Sequence, residues 1–88
     1  MKLIIRGGVG LDNIDVEYAE SKGIKVLNTP RASTISVAEL TFAHILALAR
    51  DVTRSTIAIK EGRWEKKKLK GMELYGKTLG LIGIGRIG

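Results

Sequence analysis

Between Glu39 and Arg50 lie ten residues, Leu40 to Ala49, without an acidic side chain, a lysine or an arginine. Set on a helix, Leu40, Phe42, Ala43, Ile45, Leu46, Leu48 and Ala49 surround most of the axis instead of forming one stripe. Such a helix has to be covered on more than one side. A chain of 88 residues buries only about 60–65% of its unfolded surface, and the rest of this one is too small to do the covering. The expectation is a missing partner, either further chain or a second subunit. A membrane is not that partner, because the apolar run is about half of what a bilayer-spanning helix needs. The apolar stretch in Met1 to Arg6 is too short for a signal peptide, so no membrane association and a cytoplasmic location are expected.

The flanking segments predict an α/β chain. Lys2 to Arg6 reads as a short buried strand, followed by the turn Gly7-Gly8-Val9-Gly10. Asp15 is placed to cap a helix over Val16 to Lys22, with Gly23 just past its end. Ile24 to Leu27 reads as a second strand, closed by Asn28-Thr29-Pro30. Strand, helix, strand in this order is a βαβ unit, expected with a right-handed crossover. Ser36-Val37-Ala38-Glu39 has the spacing of a capping box, which predicts a helix from Val37 to Arg50, about 21 Å long. A further helix is expected over Val52 to Lys60, then a basic loop to Tyr75 and a last strand over Thr78 to Ile82.

Composition narrows the chemistry. There is no cysteine, which excludes disulfides, thiolate zinc sites and cysteine nucleophiles. The net charge of +6 is concentrated at Arg63, Lys66, Lys67, Lys68 and Lys70. A basic cluster can meet nucleic acid or another anion. With one nearby aromatic, Trp64, and no nucleic-acid-binding motif, nucleic acid is not the expected partner.

The segment Gly83-Ile84-Gly85-Arg86-Ile87-Gly88 follows the last expected strand directly and has the spacing G-x-G-x-x-G. In a dinucleotide fold the first glycine makes the tight turn, the second admits the pyrophosphate and the third permits close helix packing. The anion then sits on the amino terminus of the following helix. That helix, and an acidic residue about 20 positions on for the ribose, would lie past Gly88. The motif alone is a weak signal.

Taken together, Arg6 to Asp15, Asn28-Thr29-Pro30, Ser36 to Glu39, Glu61-Gly62-Arg63-Trp64, Gly76 to Gly80 and the glycine fingerprint resemble the D-isomer-specific 2-hydroxyacid dehydrogenases across essentially the whole chain. The resemblance implies a fragment of a two-domain, Rossmann-like α/β enzyme, cut inside its cofactor site. Residues 1–30 would be the last βαβ of the substrate (lid) domain. Residues 31–75 would be interdomain and dimer helices with the basic loop, and 76–88 the first strand and glycine turn of the NAD-binding domain. The implied activity is NAD-dependent oxidation of a D-2-hydroxy acid, 3-phospho-D-glycerate in serine biosynthesis, by a homodimer or higher homo-oligomer.

By the same resemblance Val9, Gly83, Gly85, Arg86, Ile87 and Gly88 would contact the cofactor, and Gly8, Val9 and Lys66 the anionic substrate. The family has alanine where this chain has Gly7, a departure that loosens the loop. For the glycine-rich loop an ordinary turn is the competing reading, and for Lys66 a solvated basic loop on which Trp64 merely packs. The family's catalytic arginine, glutamate and histidine would all lie downstream of this chain. His44, mid-helix among apolar residues, reads as a core or interface histidine, and neither it nor Glu39 is assigned a catalytic role. The isolated chain is therefore expected to be inactive. The alternative is a non-catalytic dimerisation or interaction module built on the Leu40–Ala49 helix.

Overall fold

A computed structural model describes all 88 residues. Two parallel strands, β1 (Leu3–Arg6) and β2 (Lys25–Asn28), are joined through α1 (Val16–Ser21), and α2 (Thr34–Ala49) and α3 (Val52–Lys60) follow. The strands pair in register from Leu3 opposite Lys25 to Arg6 opposite Asn28. Local chemistry explains α1: the Asp15 carboxylate accepts from the Tyr18 amide at 3.0 Å, occupying one of the amides that a helix start leaves free. β2 begins one residue later than expected because the Ile24 amide is held by the carbonyl of Ala19, at 3.0 Å, in the helix exit.

α2 starts three residues before the expected position. The residue that caps its start is Ser33, whose carbonyl accepts from the Val37 amide at 2.9 Å. Ser36 lies inside the helix and donates its hydroxyl to the Ser33 carbonyl, at 3.1 Å. The capping box expected at Ser36 and Glu39 therefore does not form; the turn at 30–33 delivers the chain into the helix earlier. α2 and α3 meet at Asp51, the one non-glycine residue in the left-handed region (φ +53°), which also pairs with Arg54 at 3.2 Å. Aspartate tolerates that region better than most residues, because its short polar side chain can bond locally.

The strand expected over Thr78–Ile82 is not formed. A strand exists through its ladder, and β1 and β2 pair only with each other; no backbone hydrogen bond involves a residue after Lys77. The same lack of partners shows in burial. The only buried residues are Ala19, Ala49 and Ala58. Each marks a close approach: Ile24 donates to Ala19, Met72 to Ala49 at 2.7 Å and Arg63 to Ala58 at 2.8 Å. At Ala49 the return is tight, since a Cβ on Gly71 (φ +59°) would stand 2.5 Å from its carbonyl oxygen.

β1, expected to be buried, is covered on one face only; Leu3 and Ile5 remain exposed. Along α2, Leu40, Phe42 and Leu46 are at least half exposed and Leu48 is 83% exposed. His44 is exposed rather than part of a core. The radius of gyration is 20.7 Å, where a compact chain of this length would have about 12 Å. The accessible surface is 7791 Å², against about 5100 Å² for a compact globule of this mass. One apolar groove, of about 460 Å³, runs between α2 (Phe42, Ile45) and the carboxy-terminal segment (Leu79, Leu81).

Candidate functional site

Parallel pairing brings the ends of β1 and β2 side by side, and the loop after β1 is fastened there through its carbonyls. The Thr29 amide donates to the Gly8 carbonyl at 2.9 Å, and the Asn28 side-chain amide donates to the Val9 carbonyl at 2.9 Å. With the carbonyls engaged, the amides of Val9 and Gly10 have no acceptor in the chain. Gly8 leaves room for the Arg6 side chain: a Cβ there would lie 1.7 Å from the guanidinium as it stands, and the flexible arginine would have to swing aside. Arg6 thus lies across the loop and adds positive charge beside the free amides.

The carboxy-terminal turn faces this loop. Gly83 has φ +87°, a conformation that costs glycine nothing and other residues considerably more. A Cβ on Gly88 would stand 2.9 Å from the Gly83 carbonyl oxygen, so the turn folds back on itself and closes on glycine at both ends. Gly85 differs, because a Cβ there would meet no atom of the chain within 4 Å. None of the amides from Thr78 onward has an acceptor in the chain.

The two loops share one cavity of about 280 Å³. Val9 and Pro30 line one side, and Gly83, Gly85, Arg86, Ile87 and Gly88 the other. Arg86 is the only charged residue among them, and no carboxylate opposes it. Free amides, one arginine and glycines suit an anion that must come close to backbone. All six residues expected to contact a cofactor therefore meet at one place. Pro30 and the Asn28 tether were not singled out for the site in the sequence, although they lie in the Asn28-Thr29-Pro30 segment.

Lys66 is not brought to this cavity. It lies on the loop after α3, in a separate groove of about 340 Å³ with Trp64, Glu65, Lys67 and Lys68. Gly8 sits beside the cavity without lining it. Neither His44 nor Glu39 lines it either, and no cluster of three or more histidine, cysteine, aspartate or glutamate side chains is placed to hold a metal. No helix is long and apolar enough to cross a membrane.

Residues 1–78 match the family model described as "D-isomer specific 2-hydroxyacid dehydrogenase, catalytic domain". The chain belongs to this family. It is 65% identical over all 88 residues to a hydroxypyruvate reductase of Thermotoga maritima, covering 29% of that protein. It is 60% identical to a D-3-phosphoglycerate dehydrogenase of Methanocaldococcus jannaschii, covering 17% of it. Identity to the human D-3-phosphoglycerate dehydrogenase is 50%, over 16% of that protein. The chain thus spans less than a third of the length of these relatives, and the resemblance to the family seen in its motifs is borne out.

Proposed function

We propose that this chain is the part of an NAD-dependent D-2-hydroxyacid dehydrogenase that joins the lid domain to the first turn of the nucleotide domain. The observation that carries the reading is the shared cavity, where the Val9 loop meets the glycine turn and Arg86. The residues present fit a dinucleotide. Free amides and Arg86 would take the pyrophosphate, Gly85 would leave room for it, and Val9 would line the nicotinamide side. NAD, when bound, supplies the hydride acceptor. The chain's own contribution is to bind and orient: the amides of Val9 and Gly10 and the Arg6 charge hold the substrate carboxylate, with Gly8 keeping that loop open.

The substrate favoured is 3-phospho-D-glycerate, as in serine biosynthesis, because a lysine-rich groove suits a phosphate and two of the relatives above are named D-3-phosphoglycerate dehydrogenase. Lys66 would present this charge to the site of a neighbouring subunit. With the catalytic residues outside it, the chain alone does not turn over. The test is amide-resolved NMR of the chain during titration with NAD. Shifts are expected at Val9, Gly83, Gly85 and Arg86, with the α3 amides unmoved. A spectrum that does not change, or that changes at the Lys66 loop instead, would count against the cofactor assignment.

A second reading, a non-catalytic association module, is favoured by one observation: Leu40, Phe42, Leu46 and Leu48 stand exposed on α2. The two readings are compatible where α2 forms the contact between copies.

A further inference from the structure

The loop from Glu61 to Lys68 carries an ionic arrangement that the proposed cofactor cavity does not use. Arg63 donates from Nε to the Glu61 carboxylate at 3.1 Å and from Nη1 to the Glu65 carboxylate at 2.7 Å; its Nη2 also meets Glu61. Glu61 closes the carboxy terminus of α3. Glu65 opens the next turn, where its carbonyl accepts from Lys68 at 2.9 Å and from Leu69 at 3.1 Å. One guanidinium therefore ties the end of the helix to the start of the basic turn. Trp64, between the two carboxylates in sequence, is left 79% exposed.

The same contacts settle the charge of the loop. Glu61 and Glu65 are both engaged by Arg63, and Lys68 approaches Glu65 at 3.8 Å. Lys66, Lys67 and Lys70 have no ion-pair partner. Without Arg63 the two carboxylates would be free to turn toward Lys66 and Lys67 and cancel the charge that faces the groove. An arginine is charged wherever the carboxylates are ionised, and Glu61 first, and Glu65 second, push the pKa of Arg63 further upward.

We propose that Arg63 is a positioning residue, which sequesters Glu61 and Glu65 so that Trp64, Lys66 and Lys67 form a receptive groove for a phosphate-bearing anion. This rests on the assignment of Lys66 to an anionic substrate and adds the residue that keeps its charge available. Exposed ion pairs contribute little to stability, so the role belongs to loop order and binding, not to the melting temperature.

The test uses Trp64, the only tryptophan in the chain, as a reporter in wild type, R63Q, R63K and K66A. Inorganic pyrophosphate is titrated against its fluorescence, with anisotropy and circular dichroism recorded alongside. Wild type is expected to bind saturably. R63Q should lower the Trp64 anisotropy and weaken binding by roughly threefold to tenfold, the scale of one side chain's ordering, with helix content unchanged. R63K should recover part of the loss. K66A should weaken binding while leaving anisotropy at the wild-type value. Equal affinity in R63Q and wild type would overturn the role of Arg63 alone. Absence of saturable binding in wild type would overturn the anion groove itself, and with it the assignment of Lys66.

Discussion

Replacing Gly85 by valine is expected to weaken NAD binding markedly without altering the helices of the chain. The position separates ligand from fold unusually well. At Gly88 the chain itself fills the space of a side chain, and at Gly83 the backbone is left-handed, so substitutions there disturb the turn before any ligand arrives. At Gly85 no atom lies within 4 Å of a built Cβ, and the residue lines the shared cavity. A valine is therefore tolerated by the turn and objectionable only to what occupies the cavity. Overpacking typically costs ~1–3 kcal/mol, which corresponds to a loss of affinity of roughly fivefold to a hundredfold. Calorimetric titration of wild type and Gly85→Val, with circular dichroism as the control for folding, measures it. A Gly85→Val chain that binds NAD as well as wild type would remove the cavity from the cofactor's path.

The second large effect is expected on association. The chain exposes roughly 2700 Å² more surface than a compact globule of its mass, with leucines along α2 prominent in it. That excess exceeds the roughly 1,200–2,000 Å² of total surface buried in a standard stable interface. A second copy is one of the two occupants expected for such a surface, further chain being the other, and closed two-fold dimers are the commonest soluble assemblies. The double variant Leu40→Glu, Leu48→Glu places charge on that surface. If either leucine is an anchor, its loss costs at least about 2 kcal/mol, or roughly thirtyfold in the dissociation constant. Sedimentation velocity over a concentration series reads the change directly. Wild type is expected to shift to a dimer with concentration, and the variant to stay monomeric. Identical behaviour of the two proteins would place any dimer contact elsewhere.

The parts legible in the sequence were those fixed by neighbours close along the chain. α3 was expected over Val52 to Lys60 and is found there, bounded by Asp51 and the Glu61-Gly62 pair. Asp15 caps α1 because the acceptor and the amide it serves are three residues apart. The failures share a cause in distance. Thr78 to Ile82 has the apolar pattern of a strand, but a strand is a relation between two segments, and this chain offers it no second one. Ser36 and Glu39 have capping-box spacing, yet the turn ahead of Ser33 decided where α2 begins. Leu3 and Ile5 looked buried because residue type reports what a face could cover, not whether anything does. For the site, spacing identified the glycine turn and family resemblance added Val9. That the two line a common cavity depends on the path of everything between them, which no local pattern encodes. The Arg63 clamp was nearer to hand: acid, arginine and acid at alternate positions, 61, 63 and 65, is a readable signal once the loop is asked how it holds its shape.

The lysine groove and the cavity shared by the Val9 loop and the glycine turn are lined by entirely different residues. On the proposed arrangement, where the groove serves the neighbouring subunit, a finished site is common property of two copies. A lesion in the cavity and a lesion in the groove then need not be equivalent to two lesions in one molecule. Mixed into the same dimer, a Gly85→Val copy and a Lys66→Ala copy would leave one site carrying both defects and the other carrying neither. Two variants, neither able to assemble an intact site alone, would then complement each other to as much as half the normal number of intact binding sites.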